Sequence, residues 1–308
     1  VSTKSPSASA PGLGGRLAYI AFWLIGSLPL RWLHRLGGWL GGRQRGRAWH
    51  ITLRNLEMCF PELDDAQRRA LAEETMRESG RSMLEAFRIW TRPRRALQWI
   101  REVEGGELLV QARAQGRGVL VLAPHLGAWE LLNLYLAGTG PGAVLYRPPS
   151  SAAVEAAIVR SRGALGMDLI RADKQAPRTL IRRLAAGDLI GILPDQQPKI
   201  GEGVFAPFFG VEALTMTLAP RIAQRCVAVF GCAERLPGSA GFRIRFVPAP
   251  EGLYEEDPVR ATAAMNATIE AMVRRAPAQY AWTYKRFSRR PPGEAPRYGA
   301  NTRRRRNA

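Results

Sequence analysis

From Gly105 to Pro194, short apolar runs alternate with amphipathic stretches of helical length, and this alternation limits the fold more than any other feature. A helical "ELLVQARAQ" precedes the run "GVLVLAP", and a new helix starts at about Ala128. "AVLYR" leads into a helical stretch over Ala152 to Leu165; "MDLI" leads into "APRTLIRRLAAG", which is followed by "DLIGILP". Strands joined through helices of this length build βαβ units. Farther on, "VAVFGCAER" and "FRIRFVPAP" read as a β pair, and "PVRATAAMNATIEAMVRRAP" as an amphipathic helix. The expected class is α/β, with a mostly parallel central sheet flanked by helices.

The N-terminal third reads differently. Residues 1–15 are small and polar and are expected to be disordered. Leu17 to Leu30 form an apolar run between Arg16 and Arg31. At about 1.5 Å per residue this run reaches about 21 Å, short of a bilayer core of about 30 Å. A membrane-associated helix over 16–35 is expected, spanning only if Arg31, Trp32 and Leu33 join it. No small-residue cleavage pattern follows, which argues against a signal peptide. The arginines at 31, 35, 43, 45, 47 and 54 all lie beyond the run. The positive-inside bias then keeps the rest of the chain on the cytoplasmic face of the membrane, and a helix lying flat would use Trp32 and Trp39 as interfacial anchors. His34 and His50, among these tryptophans and arginines, suit a headgroup-layer or core position. Residues 36–292 form the expected α/β domain. Its N-terminal part is helical, including a helix after Pro61 with Asp64 as N-cap and Leu71, Met83, Leu84 and Phe87 facing inward. Residues 293–308 read as a basic, unfolded tail.

The net charge of +19 calls for a partner of opposite sign: a phosphorylated lipid, an acidic carrier protein or nucleic acid. Three scattered cysteines support neither a disulfide framework nor a zinc site, and no metal or cofactor is expected. There is no G-x-S-x-G elbow and no P-loop, and "GRGV" precedes its strand rather than following it, the wrong order for dinucleotide binding.

One residue stands out against that background. "GVLVLAPHLGAWELLNLYLAG" ends an apolar run at Pro124, presents His125, and places Glu130 at the head of the next apolar segment. On one regular helix, positions five apart diverge by about 140°, so the two side chains cannot converge there. They converge if His125 closes the strand, Gly127 allows the turn and Glu130 enters the first turn of the helix. Ligands of open α/β sheets bind at that edge. Glu130 would accept one imidazole N–H and leave the other nitrogen as a general base. Spacing alone favours the plainer alternative, a strand-end histidine beside an unrelated helix-start carboxylate. The lack of a protein nucleophile favours a substrate hydroxyl as the attacking group.

Here the chain resembles the bacterial lauroyl/myristoyl acyltransferases of lipid A biosynthesis, relatives of the glycerol-phosphate acyltransferases. "HLGAWE" matches their H-x4-E motif, and the other motifs follow in the family's order. These are "NLEMCFPEL" at 55–63, "YRPP" at 146–149, "SRGALGMDLI" at 161–170, "LPDQQPKIGEGVFAPFFG" at 193–210, "ALTMTLAPRIA" at 213–223 and "PAQYAWTYKRF" at 277–287. In "DQQ" this chain has Gln197 where many members have a second acid. The resemblance implies transfer of an acyl chain from an acyl carrier protein thioester, or coenzyme A, to a hydroxyl of a phosphorylated glycolipid, the lipid A precursor. It implies His125 as base and Glu130 as its partner, without an acyl-enzyme. Arg162 and Asp195 are further implied site residues, Asp195 pinning Arg162 or the loop rather than taking a proton, and Arg147 is a candidate contact for a sugar phosphate. Phe208 and Phe209 are candidates for an acyl pocket or for plain core. The expected location is the inner membrane, with the catalytic domain on the cytoplasmic face. Two alternatives remain: another glycolipid or a lysophospholipid as acceptor, and, from a different class, a nucleic-acid-binding protein. The dispersed basic residues and the lack of a binding module weigh against the last.

Overall fold

A computed structural model describes residues 13–149, 151–299 and 302. The segment over 1–12 and the arginine run at 303–306 lie outside the described residues.

Five helices come first: α1 (Leu13–Ile25), α2 (Leu30–Gly42), α3 (Arg47–Cys59), α4 (Asp65–Thr91) and the single turn α5 (Pro93–Ala96). The alternating region then gives β1 (Ile100–Glu104), α6 (Gly106–Ala114), β2 (Val119–Leu122), α7 (Trp129–Ala137), β3 (Gly142–Tyr146) and α8 (Ala152–Gly163). It continues with β4 (Met167–Arg171), α9 (Ala176–Ala185), β5 (Leu189–Ile192), the strands β6 (Gly203–Phe208) and β7 (Val211–Met216), and α10 (Leu218–Ala223). The chain closes with β8 (Val227–Arg235), β9 (Phe242–Pro248) and α11 (Pro258–Arg275).

The main sheet runs β1-β9-β8-β2-β5-β3-β4 and is parallel except where β8 meets β9. Both faces are covered, as a parallel sheet requires. Leu120, Leu122, Ile190 and Ile192 face one core with Leu180 and Ile269, whereas Val119, Val121, Leu189 and Val229 face the other with Leu131 and Leu84. The α/β expectation holds, with two additions. β1 extends the sheet edge, and β6 and β7 form a separate antiparallel hairpin. In the hairpin "VFAPFFGVEALTM", Pro207 and Phe209-Gly210 obscured the alternation.

The anchor helix expected over 16–35 is not continuous. It breaks between Ile25 and Leu30, because the Arg88 guanidinium takes the carbonyls of Gly26, Ser27 and Leu28 at 2.6–3.0 Å and Pro29 caps α2. No helix among the described residues is long and apolar enough to cross a membrane. α2 then packs against α4 through glycines: a Cβ on Gly41 would lie 2.0 Å from the Met76 carbonyl, and one on Gly80 2.0 Å from the Gly37 carbonyl. On α4, Asp64 and Gln67 form a reciprocal capping box. Leu84 is buried as expected, but Met83 is 48% exposed and belongs to the outer face.

His34 is buried, not in a headgroup layer. Its Nε2 meets Glu85 Oε1 at 2.6 Å and its Nδ1 meets Ser239 at 2.9 Å. Arg235, at the end of β8, binds the same Glu85 through two nitrogens and also meets Glu78 and Ser82. Burial alone would raise the Glu85 pKa, but Arg235 and then His34 outweigh it and hold the carboxyl below its ordinary value. This network ties α2 and α4 to the sheet. The tail expected to be unfolded begins as packed structure. The Tyr298 hydroxyl donates to Asn55 Oδ1 at 2.6 Å and accepts from the Phe287 amide, and Arg297 donates to the Glu212 carbonyl.

Candidate active site

His125 lies just past β2 and Asp195 just past β5, two neighbouring parallel strands, so both emerge at the carboxyl edge of the sheet. The reversal that carries His125 is fixed on several sides. The Gly127 amide donates to the Gln279 carbonyl at 3.0 Å, the Ala128 amide to Ala233 at 2.8 Å, and the Ala281 amide to the His125 carbonyl at 3.0 Å. Gly127 has φ +62°, and a Cβ there would lie 2.0 Å from the Ala233 carbonyl, so only glycine fits. Gln279 braces the same loop, its side chain bonding both the amide and the carbonyl of Arg235.

The pairing differs from the expected one. Asp195, not Glu130, holds the imidazole: its Oδ1 lies 2.7 Å from His125 Nδ1 and its Oδ2 accepts the His125 amide at 2.9 Å. Glu130 does fall in the first turn of α7, but both its oxygens are taken by Arg162 from α8, at 2.9–3.3 Å. Glu130 at the head of α7 therefore meets α8 rather than the imidazole at the end of β2. Asp195 therefore does not pin Arg162. Of the two roles expected of Asp195 it fills the second, holding the loop through the His125 amide, while Glu130 takes Arg162. Arg147 follows β3 on the same sheet edge but is exposed, with no ion-pair partner among the described residues.

Those contacts define the chemistry. On the far side of the ring, Gln196 Nε2 donates to His125 Nε2 at 3.1 Å. An amide donor at Nε2 and a carboxylate at Nδ1 together put the proton on Nδ1 and a lone pair on Nε2. The Asp195 side chain is only 2% exposed, against 16% for His125. Burial would raise the Asp195 pKa, but the His125 ring, its amide and Arg286 outweigh that and keep the carboxyl below its ordinary range. Burial, with Asp195 beside it, pushes the Tyr280 hydroxyl well above its usual value, so it stays protonated. Trp129 packs edge-on against the imidazole with ring centroids 5.3 Å apart.

The closing motif supports this edge. The Tyr284 hydroxyl accepts the Gln197 amide at 3.0 Å, Gln197 donates to the Arg286 carbonyl, and Ser288 donates to Gln197 Oε1. Asn55 on α3 donates to the Trp282 and Tyr284 carbonyls at 2.6 and 2.8 Å, linking "NLEMCFPEL" to "YAWTYKRF". Phe208 and Phe209 join Trp282, Tyr280 and Phe60 in a buried aromatic cluster, which makes them core. Gln196, Gln279 and Tyr280 were not singled out from sequence. Gln196 was within reach, since it adjoins Asp195 at a strand end.

The Glu130–Arg162 pair is closed to water, with side chains 6% and 7% exposed. Truncating one partner strands the other as an uncompensated buried charge, which costs about 3–5 kcal/mol. Glu130→Ala is therefore expected to lower unfolding free energy by that amount in urea titration. A drop below about 1 kcal/mol would show the pair to be structurally dispensable.

A family model described as bacterial lipid A biosynthesis acyltransferase matches residues 2–289. Among curated relatives, the lipid A biosynthesis lauroyltransferase of Escherichia coli K12 is 31% identical over 285 residues, covering 90% of this chain and 92% of that protein. The palmitoleoyltransferase of the same organism is 31% identical over 283 residues, covering 90% and 91%. Its myristoyltransferase is 26% identical over 271 residues, covering 86% and 82%. With a family model spanning nearly all the chain and relatives matched over most of their length, this protein belongs to the bacterial lipid A biosynthesis acyltransferases, enzymes that transfer an acyl group.

Proposed function

We propose that this chain moves a fatty acyl group from an acyl carrier protein thioester to a hydroxyl of a lipid A precursor, at the cytoplasmic face of the inner membrane. The observation that carries the chemistry is the imidazole of His125, with Nδ1 held by Asp195 and Nε2 offered a donor by Gln196. The acceptor hydroxyl takes the place of the Gln196 amide at Nε2. His125 accepts the hydroxyl proton as its oxygen attacks the thioester carbon. The tetrahedral intermediate collapses with release of the carrier thiolate, which takes the proton back from the imidazolium. Asp195 holds the tautomer throughout and stabilises the transient cation. The buried Glu130–Arg162 pair locks the start of α7 against α8 and so holds the turn that follows His125.

Membrane attachment is supported by the outer face of α1 and α2. Leu17, Ile20, Trp23, Leu24, Trp32, Leu36 and Trp39 are all more than 40% exposed, and Arg35 and Arg43 stack on Trp32 and Trp39. Tryptophan and arginine beside exposed leucines suit helices lying in the headgroup layer. The nucleic-acid alternative gains nothing from the family comparison.

Purified protein supplied with a lauroyl or myristoyl carrier-protein thioester and a lipid A precursor is expected to yield a product heavier by one acyl group in mass spectrometry. Equal turnover with the coenzyme A thioester would remove the carrier-protein assignment. Transfer to a lysophospholipid but not to the glycolipid would remove the acceptor assignment.

A further inference from the structure

Attack on a thioester carbonyl puts negative charge on its oxygen, and that charge needs a hydrogen-bond donor fixed beside the base. Several side-chain donors around His125 are already engaged. Arg162 gives two nitrogens to Glu130, Gln197 donates to the Arg286 carbonyl, and Gln279 donates to the Arg235 carbonyl. Trp129 differs. Its ring lies against the imidazole, with centroids 5.3 Å apart and planes inclined at 63°. The residue is half-buried, and its indole N–H meets no acceptor among the described residues. A tryptophan packed into a protein ordinarily satisfies that donor, as Trp282 does with the Pro277 carbonyl at 2.8 Å. Unlike the N–H of Trp90, which is sealed from solvent without a partner, that of Trp129 is open. Its position is also fixed. Trp129 opens α7, between Ala128, whose amide donates to the Ala233 carbonyl at 2.8 Å, and Glu130, clamped by Arg162.

From this placement we propose that the Trp129 indole N–H is a catalytic donor, hydrogen-bonding the thioester carbonyl oxygen as it becomes an oxyanion. The inference rests on the acyl-transfer reading, with His125 as base. As the acceptor oxygen bonds to the carbonyl carbon, the C=O π pair moves onto oxygen and the acceptor proton passes to His125 Nε2. The indole N–H meets the new charge. When C=O re-forms, the C–S bond breaks, its electron pair leaves with the thiolate, and the imidazolium returns the proton to sulfur. The distances suit this role. A base works at about 2.6–3.2 Å from the hydroxyl it deprotonates, and an oxyanion donor at about 2.7–3.1 Å from the oxygen it stabilises. The carbon under attack is one bond from that hydroxyl oxygen, so it lies beside an imidazole whose contacting neighbour is Trp129. A neutral N–H on an apolar ring adds a further advantage, because the indole keeps water off the oxyanion and so strengthens the bond.

The experiment separates the N–H from the ring that carries it. In the full chain, Trp129 is replaced at that one position by 3-benzothienylalanine, which keeps the shape and puts sulfur where the N–H stands. A second version carries 5-fluorotryptophan there, which keeps the N–H. Trp129→Phe gives a third, and thermal melts accompany all of them. Steady-state kinetics use the carrier-protein thioester and the lipid A precursor. Removing one oxyanion donor costs about 10²–10³-fold in kcat, so the benzothienyl and phenylalanine versions are expected to fall by about 10²-fold. KM for the thioester is expected to change by less than about threefold, because the bond strengthens only as charge develops. The fluorinated version is expected to stay near the unaltered rate. A benzothienyl version with unchanged kcat would leave the oxyanion to the backbone amides at the head of α7 and overturn the proposal. Equal losses in the benzothienyl and fluorinated versions would trace the effect to packing of the ring and overturn it as well. An unaltered protein that transfers no acyl group would remove the acyl-transfer reading itself, and this inference with it.

Discussion

Replacing His125 with alanine is expected to lower kcat for acyl transfer by about 10³-fold or more, while leaving the fold and vesicle binding unchanged. General-base catalysis by a positioned side chain is worth about 10²–10⁴-fold, and no other described side chain at this edge can take the proton. Asp195 has both oxygens committed to His125. Tyr280 is held protonated by burial, and Gln196 and Gln197 do not titrate in water. The three cysteines are buried and unpaired, with Cys59 and Cys232 raised far above the ordinary thiol range by burial, so none offers a thiolate for an acyl-enzyme route. The fold should tolerate the change because the loop is held by backbone bonds through Gly127, Ala128 and the His125 carbonyl, none of which uses the imidazole. Steady-state kinetics with saturating donor, together with thermal melts of both proteins, check this. A variant retaining more than a tenth of wild-type kcat would remove His125 from the chemistry.

The central part of the sheet was readable from sequence because β2, β3 and β5 are short runs buried on both faces and helices of recognisable period follow β2, β3 and β4. β2, β3, β4, β5, β8 and β9 all fall where apolar runs stand. β1 was not, since Arg101, Glu102, Val103 and Glu104 are all exposed on an edge strand, where burial imposes no pattern. The break between α1 and α2 escaped for a different reason. The apolar run continues through Gly26 and Leu28, and what stops the helix is a guanidinium arriving from Arg88 on α4. At the site, residue identities were legible but pairings were not. Sequence places His125 and Glu130 five apart, whereas Asp195 lies seventy residues on. Only the adjacency of β2 and β5, with β3 and β4 between them in chain order, brings Asp195 against the imidazole. Arg162 reaches Glu130 in the same way, because α8 returns alongside α7.

That rearranged pairing has its sharpest consequence in Asp195→Asn. The carboxylate accepts two hydrogen bonds, from His125 Nδ1 and from the His125 amide. An asparagine has one acceptor oxygen. If that oxygen keeps the backbone amide, the NH₂ group faces Nδ1, which must then accept, and the proton moves to Nε2. The nitrogen that should receive the substrate proton is then occupied, and no anion remains to stabilise the imidazolium. A loss in kcat of about 10²–10³-fold is expected, with KM for the thioester changed by less than about threefold, because Asp195 touches the base and not the donor. Nitrogen-resolved NMR of the imidazole should show the tautomer reversed, which a merely structural role would not produce. The sign of the pH dependence also follows. Asp195 is held below its ordinary value, so its ionised form stabilises the fold at neutral pH, and that contribution fades only as pH falls through the depressed value. The asparagine variant should therefore show a shallower loss of stability on acidification, measured by melting temperature between pH 7 and about pH 3. If Asp195→Asn kept near-normal kcat while Glu130→Gln abolished it in folded protein, the histidine would owe its activity to Glu130 after all, through a rearrangement on substrate binding that breaks both ion pairs.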